Sequence, residues 1–301
     1  MRVWTSRSSS IRMAGILHLL CMLLPIVSNA ATCESEIPSD DIVVKYAVYT
    51  QSSQMLTGVL VTDGAGKLIE ERAPALEIIQ PHFQAAQDLF ANSGLQLSLV
   101  DASRPAPIVL SDSQTQLIKD FLGEADGDPQ TRIDSFVENL QQEGIYEDNR
   151  LNIYYVEIAD LSGVHFRYRD GRSRNLIFVG SGYYSHTLAH EMGHAFSLNH
   201  ANFWSHDDPD LVNDEGKKIF PNGVRVEYCA EYGYWNNECD FARNNLMWAA
   251  QESRDHVTAG QRLRALCNET SSLVTNKDWE PSAPMRCPDW STEGDCPETF
   301  Q

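Results

Sequence analysis

The sequence predicts an α/β (α+β) chain. Three observations carry this. Strand-like and helix-like segments alternate through residues 41–180. After about residue 200 the composition turns to Asn, Asp, Gly, aromatics and cysteine. Between the two lies a helix-like stretch rich in histidine, "TLAHEMGHAFSLNH", at 187–200. Alternating elements of this kind build layered folds around a sheet, and 301 residues with 42% apolar content suffice for one large domain or two small ones.

Before the first element comes a targeting segment. Arg2, Arg7 and Arg12 precede the apolar stretch "AGILHLLCMLLPIV", which runs into Ser28-Asn29-Ala30. A basic start, a short apolar run and small residues predict a secretory signal over 1–30, cleaved after Ala30. The run is too short for a spanning helix and His18 interrupts it, so no stable membrane association is expected. A secreted or extracytoplasmic protein follows. Cys21 falls in the signal; Cys33, Cys229, Cys239, Cys267, Cys287 and Cys296 remain, an even number that suggests disulfides in an exported chain. Short spacing favours Cys229 with Cys239 and Cys287 with Cys296, leaving Cys33 for Cys267. No CxxC spacing points to zinc ligation by thiolates. The formal charge of −19 makes nucleic acid and anionic lipid poor partners. Oligomeric state is not legible.

The elements then follow in order. "DIVVKYAVYT" (41–50) reads as a strand rich in β-branched and aromatic residues. Residues 73–94 read as an amphipathic helix that stops at Gly94 despite Pro81. "LQLSLV" (95–100) alternates as a half-buried strand does. Two helices follow, 111–123 with a Ser-Asp start and 128–144 with Pro129 in its first turn and Gly144 at its end. Residues 151–159 and 175–180 read as strands, joined by a polar turn containing Asp170 and Gly171. The histidine-rich helix comes next, and 258–267 forms the one clear helix of the second half.

In the histidine-rich helix, His190 and His194 are four apart and share a face, with Glu191 between them. This is the H-E-x-x-H arrangement, in which two neutral imidazoles hold zinc and the glutamate takes a proton from the metal-bound water. A surface helix with paired histidines is the plainer alternative. His200 is six residues past His194, too far for the same face; it joins the other two only if the chain bends sharply after Phe196.

His190, Glu191, His194 and His200 match the metzincin pattern H-E-x-x-H-x-x-G-x-x-H, and the chain resembles that family. The pattern's glycine is replaced by Ser197. Glycine ends the helix there because it accepts a left-handed backbone, where serine costs about 1 kcal/mol or more; Asn199 is expected to shift the bend by a position or two. "NNLMWAA" (244–250) resembles the family's methionine turn, which implies Met247 packed beneath the ligands without binding metal. "HVTAGQRLRALC" resembles the start of the final helix in pappalysin-like and related members, and "LNIYYV" their central strand. Pappalysin-like and matrixin-like members are the closest in motif. Ala249 stands where some metzincins have a tyrosine ligand, so no fifth protein ligand is implied.

The resemblance covers roughly residues 41–267 and is dense only at 187–200 and 244–267. It implies a zincin domain with a mixed twisted sheet and an active-site helix (31–197), followed by an irregular, disulfide-braced C-terminal subdomain carrying the methionine turn and final helix (198–301). One Zn2+ would be held by His190, His194 and His200, with Glu191 catalytic. The strand at 175–180 would form the cleft's upper edge, where an extended peptide pairs by strand addition.

Other residues carry weaker expectations. His186 lies one turn before His190 and reads as a solvent-facing helix start rather than a ligand. His206 is a substitute third ligand if the bend at Ser197 fails. Glu215, Glu227 and Glu231 suit a glutamate-ligand plan but lie in no convincing helix. "HDDPDLVNDEG" (206–216) offers carboxylates to Ca2+ without full loop spacing, so a solvated acidic loop is preferred. Tyr228, Tyr232, Tyr234 and Trp235 line a cleft or form the core of a disulfide loop. Cys33 as a thiolate cap on zinc is less favoured than a disulfide. The expected function is a secreted zinc metallopeptidase acting on protein or peptide substrates. The alternatives are a non-catalytic metal-containing binding protein, which has no need of Glu191, and a zinc hydrolase of non-protein amides.

Overall fold

Two buried strands sit at the heart of the sheet. In the computed structural model, which describes residues 42–101, 107–123, 128–158, 162–180, 185–200, 239, 243–248 and 255–277, β6 (Leu151–Val156) and β8 (Ser173–Gly180) are buried at every position. Continuous burial is what parallel strands covered on both faces show. β6 pairs in parallel with β8 on one side and with β1 (Ile42–Thr50) on the other; β1 also pairs in parallel with β4 (Leu97–Asp101) and with the short β5 (Ile108–Val109). The path is β4-β1-β6-β8-β7, closed by β7 (Gly163–Arg167), which is antiparallel to β8. The sheet is therefore mixed. All the described residues belong to one unit, Ala31–Gln301.

Side chains alternate between two apolar layers, as a pleat of period two requires. Val44, Val48, Ile153, Tyr155, Ile177 and Val179 face one cluster, which includes α1 (Ala75–Asn92) and α4 (Thr187–Ala195). Ala47, Tyr49, Tyr154, Val156, Leu176 and Phe178 face the other, with α2 (Asp112–Gly123) and α3 (Pro129–Gln142). Met247, Trp248 and Leu266 join the α1–α4 layer, so α5 (Ala259–Cys267) and the short α6 (Ser272–Thr275) pack on the same side as the histidine helix.

The helix boundaries follow local chemistry. Asp128 caps α3 by accepting from the Thr131 N–H at 2.9 Å, with Pro129 at the first position. α1 and α3 both end in a left-handed glycine, Gly94 (φ 81) and Gly144 (φ 68). The bonds Leu95 N to Phe90 O at 2.8 Å and Ile145 N to Leu140 O at 3.0 Å close both as Schellman turns. α1 runs through Pro81.

Three features depart from expectation. The strand at 175–180 lies inside the sheet, between β6 and β7, and is not its edge. The edge is β7, within the stretch expected to be a polar turn. Val164 and Phe166 pack on the α2–α3 layer while Arg167 bonds toward α4, so one polar face disguises the strand. The Asp170–Gly171 turn is the hairpin between β7 and β8, closed by Tyr168 N to Arg172 O at 2.9 Å. Lastly, β2 (Gln54–Thr62) and β3 (Leu68–Pro74) form an antiparallel hairpin not anticipated at all. Among the described residues no helix is long and apolar enough to cross a membrane. Cys239 and Cys267 are each in a disulfide. Residues 1–30, expected from sequence to be a secretory signal, and the other cysteines lie outside the described residues.

Candidate metal centre

His190 and His194 project from one face of α4, and the chain then bends back to bring His200 against both. The Nε2 atom of His200 lies 3.1 Å from that of His190 and 3.0 Å from that of His194. The rings stand at 83° between His190 and His194 and at 69° between His194 and His200, while His190 and His200 are stacked at 23°; the three converge at their Nε2 nitrogens. His190 is buried and the other two half-buried.

The bend is made at Ser197, which is left-handed (φ 66). Ser197 N bonds His194 O at 3.1 Å and Leu198 N bonds Gly193 O at 2.9 Å, the same pair of bonds that Gly94 and Gly144 complete. The turn thus falls at the pattern's glycine position with serine in it; the expected shift toward Asn199 does not occur. Serine is retained there by non-local partners: its hydroxyl meets that of Thr270, and its carbonyl accepts from Arg264 Nε at 2.7 Å.

Tautomers are set by carbonyls. His190 Nδ1 lies 2.7 Å from Leu246 O, and His194 Nδ1 lies 2.8 Å from Leu198 O. A carbonyl only accepts, so each Nδ1 carries the proton and each Nε2 presents a lone pair. Two lone pairs aimed at the Nε2 of a third imidazole fit a shared cation, and a tetrahedral zinc with bonds of about 2.0–2.1 Å holds its nitrogens about 3.3 Å apart. The observed 3.0 and 3.1 Å lie close to that spacing. The donor set fits zinc.

Met247 lies beneath this group. A Cβ built on Gly193, between His190 and His194, would sit 2.4 Å from the Met247 sulfur, so glycine there is what lets the turn approach. Asn245 and Gln261 exchange side-chain amide bonds of 2.8 and 3.1 Å, and Asn245 Oδ1 also accepts from the Met247 N–H at 2.9 Å. Gln261 is in turn the third residue of the capping box that opens α5 with Thr258. Residues 245–247 and the start of α5 at 258–261 are one hydrogen-bonded unit, which delivers Leu246 O to His190.

Glu191 is buried on α4 beside Gly163, the first residue of β7. A Cβ at Gly163 would lie 2.6 Å from Glu191 Oε1 and 2.8 Å from both Glu191 Cγ and Thr187 Cγ2. On the same strand, burial first and then the positive charge of Arg167 hold the His165 imidazole well below its ordinary pKa; its Nε2 lies 2.8 Å from Ser173 Oγ.

Of the residues singled out by sequence, His190, His194 and His200 converge, Glu191 shares α4 with the first two, and Met247 packs under that helix at Gly193. His186 stands at the start of α4, outside the converging group. His206, Glu215, Glu227, Glu231, the 206–216 acidic run with its expected Ca2+, the aromatic cluster at 228–235 and Cys33 lie outside the described residues, as does Ala249. Sequence reasoning missed Gly163, Gly193 and the Asn245–Gln261 pair. Only the last had a signal, the T-x-x-Q capping box.

No protein-family model matches the chain, and no curated protein matches it. A solved structure, mirolysin in complex with compound 9, aligns with a TM-score of 0.40 and 12% identity, over 78% of this chain and 95% of that one. So slight a likeness carries no argument about function.

Proposed function

We propose that the chain is a secreted zinc-dependent metalloendopeptidase of the metzincin kind. The observation that carries the reading is the convergence of three imidazole Nε2 atoms, two of them with tautomers set by carbonyls, beside the helix α4 that holds His190 and His194 and buries Glu191. His190, His194 and His200 would hold one zinc ion, which supplies Lewis acidity toward a carbonyl oxygen and toward water. Glu191 serves as the general base: its carboxylate accepts a proton from the attacking water and returns it to the departing amine. An intact carboxylate beside a three-histidine set favours catalysis over a purely structural site, which commonly closes its fourth position with a protein ligand.

Substrate recognition moves with the corrected topology. Among the described residues no strand pairs with the outer side of β7, and an extended peptide would add there rather than along 175–180. Secretion rests on the basic-apolar start and the cut after Ala30. The division into 31–197 and 198–301, and kinship with pappalysin-like or matrixin-like members, rest on the motifs at 187–200 and 244–267.

The test uses the purified chain lacking residues 1–30 and a mixed peptide library, with and without a chelator. Cuts that the chelator abolishes are expected, and Glu191→Ala should keep its zinc while losing them. Cleavage by Glu191→Ala at the parent rate would remove the base assignment. Bound zinc without any cuts would favour the binding-protein or non-peptide reading.

A further inference from the structure

The bend that carries His200 is held by an arginine from another element. Arg167 ends the edge strand β7, and its guanidinium reaches across to the end of α4. Nη2 donates to His194 O at 3.1 Å and to Leu198 O at 2.9 Å, and Nη1 donates to Asn199 Oδ1 at 3.0 Å. These are three acceptors on the segment between the second and third imidazoles. A helix end leaves carbonyls without intrahelical partners, and a cation there also complements the dipole. Leu198 O is the same carbonyl that receives His194 Nδ1, so its two lone pairs serve the arginine and the imidazole together. Asn199 adjoins His200 in the chain.

The geometry points to Arg167 as a positioning residue: it braces the His194–His200 bend and thereby sets the affinity of the three-histidine site for zinc. This rests on the reading of that site as a zinc centre. A planar fork with donors on both terminal nitrogens can span the three acceptors, whereas a lysine is a single point donor. The far side of the bend is held independently, by Arg264 and Thr270 on Ser197, so losing Arg167 should loosen the bend without unfolding it. The sign of the effect is diagnostic. Removing a positive charge beside a cation site strengthens cation binding if Coulomb repulsion alone acts; removing a brace weakens it.

The test measures zinc affinity of the apo chain by competition with a chromophoric chelator, in the parent, Arg167→Gln, Arg167→Lys, His200→Ala and the Arg167→Gln/His200→Ala double variant. Residues that orient metal ligands typically contribute about 10–100-fold in affinity. Arg167→Gln and Arg167→Lys should each raise the zinc Kd within that range. In the double variant His200→Ala should add much less than it does alone, because the brace acts through the residue removed. A purely structural role predicts independent, multiplying effects. Should Arg167→Gln not fold, Asn199→Ala deletes one of the three contacts and should give a smaller loss of the same sign. An Arg167→Gln Kd within threefold of the parent, a tighter one, an unchanged Asn199→Ala, or fully multiplying effects would overturn the inference. A parent chain that binds no zinc would overturn it together with the zinc reading; a parent that binds zinc beside an equally tight Arg167→Gln would overturn it alone.

Discussion

Replacing Gly163 by alanine should disable Glu191 without touching the histidines. The added methyl would stand 2.6 Å from Glu191 Oε1, and ordinary contact begins near 3.4 Å. The carboxylate must therefore retreat by roughly 0.8 Å, the difference of those two distances, and the 2.8 Å approach to Thr187 Cγ2 closes one direction of escape. A misplacement of about 1 Å in a reacting group costs as much as ~100-fold. The expected result is a fall in kcat of about 10–100-fold, with KM changed only a few-fold and zinc content equal to the parent's. Steady-state kinetics on one cleaved peptide, with metal analysis of the same samples, reads all three quantities. Overpacking also destabilises, typically by 1–3 kcal/mol, so the assay belongs well below the melting temperature of the variant. Thr187→Ser removes the opposing Cγ2 and should restore part of kcat in the Gly163→Ala background. A kcat within twofold of the parent would refute the reasoning about Glu191, as would a loss that follows lost zinc.

Other outcomes follow from the same contacts. Gly193→Ala gains helix propensity of about 1 kcal/mol but sets a methyl 2.4 Å from the Met247 sulfur, so the melting temperature should fall; a rise would show that Met247 yields freely. Gln261→Ala removes three buried hydrogen bonds to Asn245 and Thr258 and strands their partners, at about 1–3 kcal/mol for each group left unsatisfied; denaturant unfolding with an unchanged midpoint would contradict this. Asp128 is held below the usual carboxylate range first by the Thr131 hydroxyl and backbone N–H, and then by Arg169. A depressed carboxylate contributes stability that is present above its unfolded pKa of about 4 and is lost as pH falls through the lower folded value. Asp128→Asn keeps a cap but not the charge, so the drop in melting temperature between pH 6 and pH 3 should shrink, and an identical drop would count against the linkage.

Legibility tracked locality. α3 was readable because Asp128-Pro129 and Gly144 act within a few residues, and α1 likewise stops where Gly94 turns left-handed. β1, β6 and β8 declared themselves as apolar runs, with ends displaced by a few residues. β7 did not, because its strand identity comes from pairing with β8 and one of its faces carries His165 and Arg167. The β2–β3 hairpin leaves Leu60 and Leu68 65% and 63% exposed, so its apolar residues trace no core-facing stripe. In the site, the four-residue spacing of His190 and His194 is a helical fact that any reader of the sequence can extract. The bend to His200 is different. A left-handed Ser197 is sustained by Arg264, Thr270 and its neighbours in the turn, contacts up to 73 positions away that no local pattern encodes.

X-ray absorption at the zinc edge, on the full chain after residue 30 with its metal content quantified, tests the centre most directly. One zinc per chain with three imidazole nitrogens at about 2.0–2.1 Å, falling to two in His200→Ala, is the predicted result. A chain without stoichiometric zinc, or a zinc shell in which His200→Ala changes nothing, would contradict it.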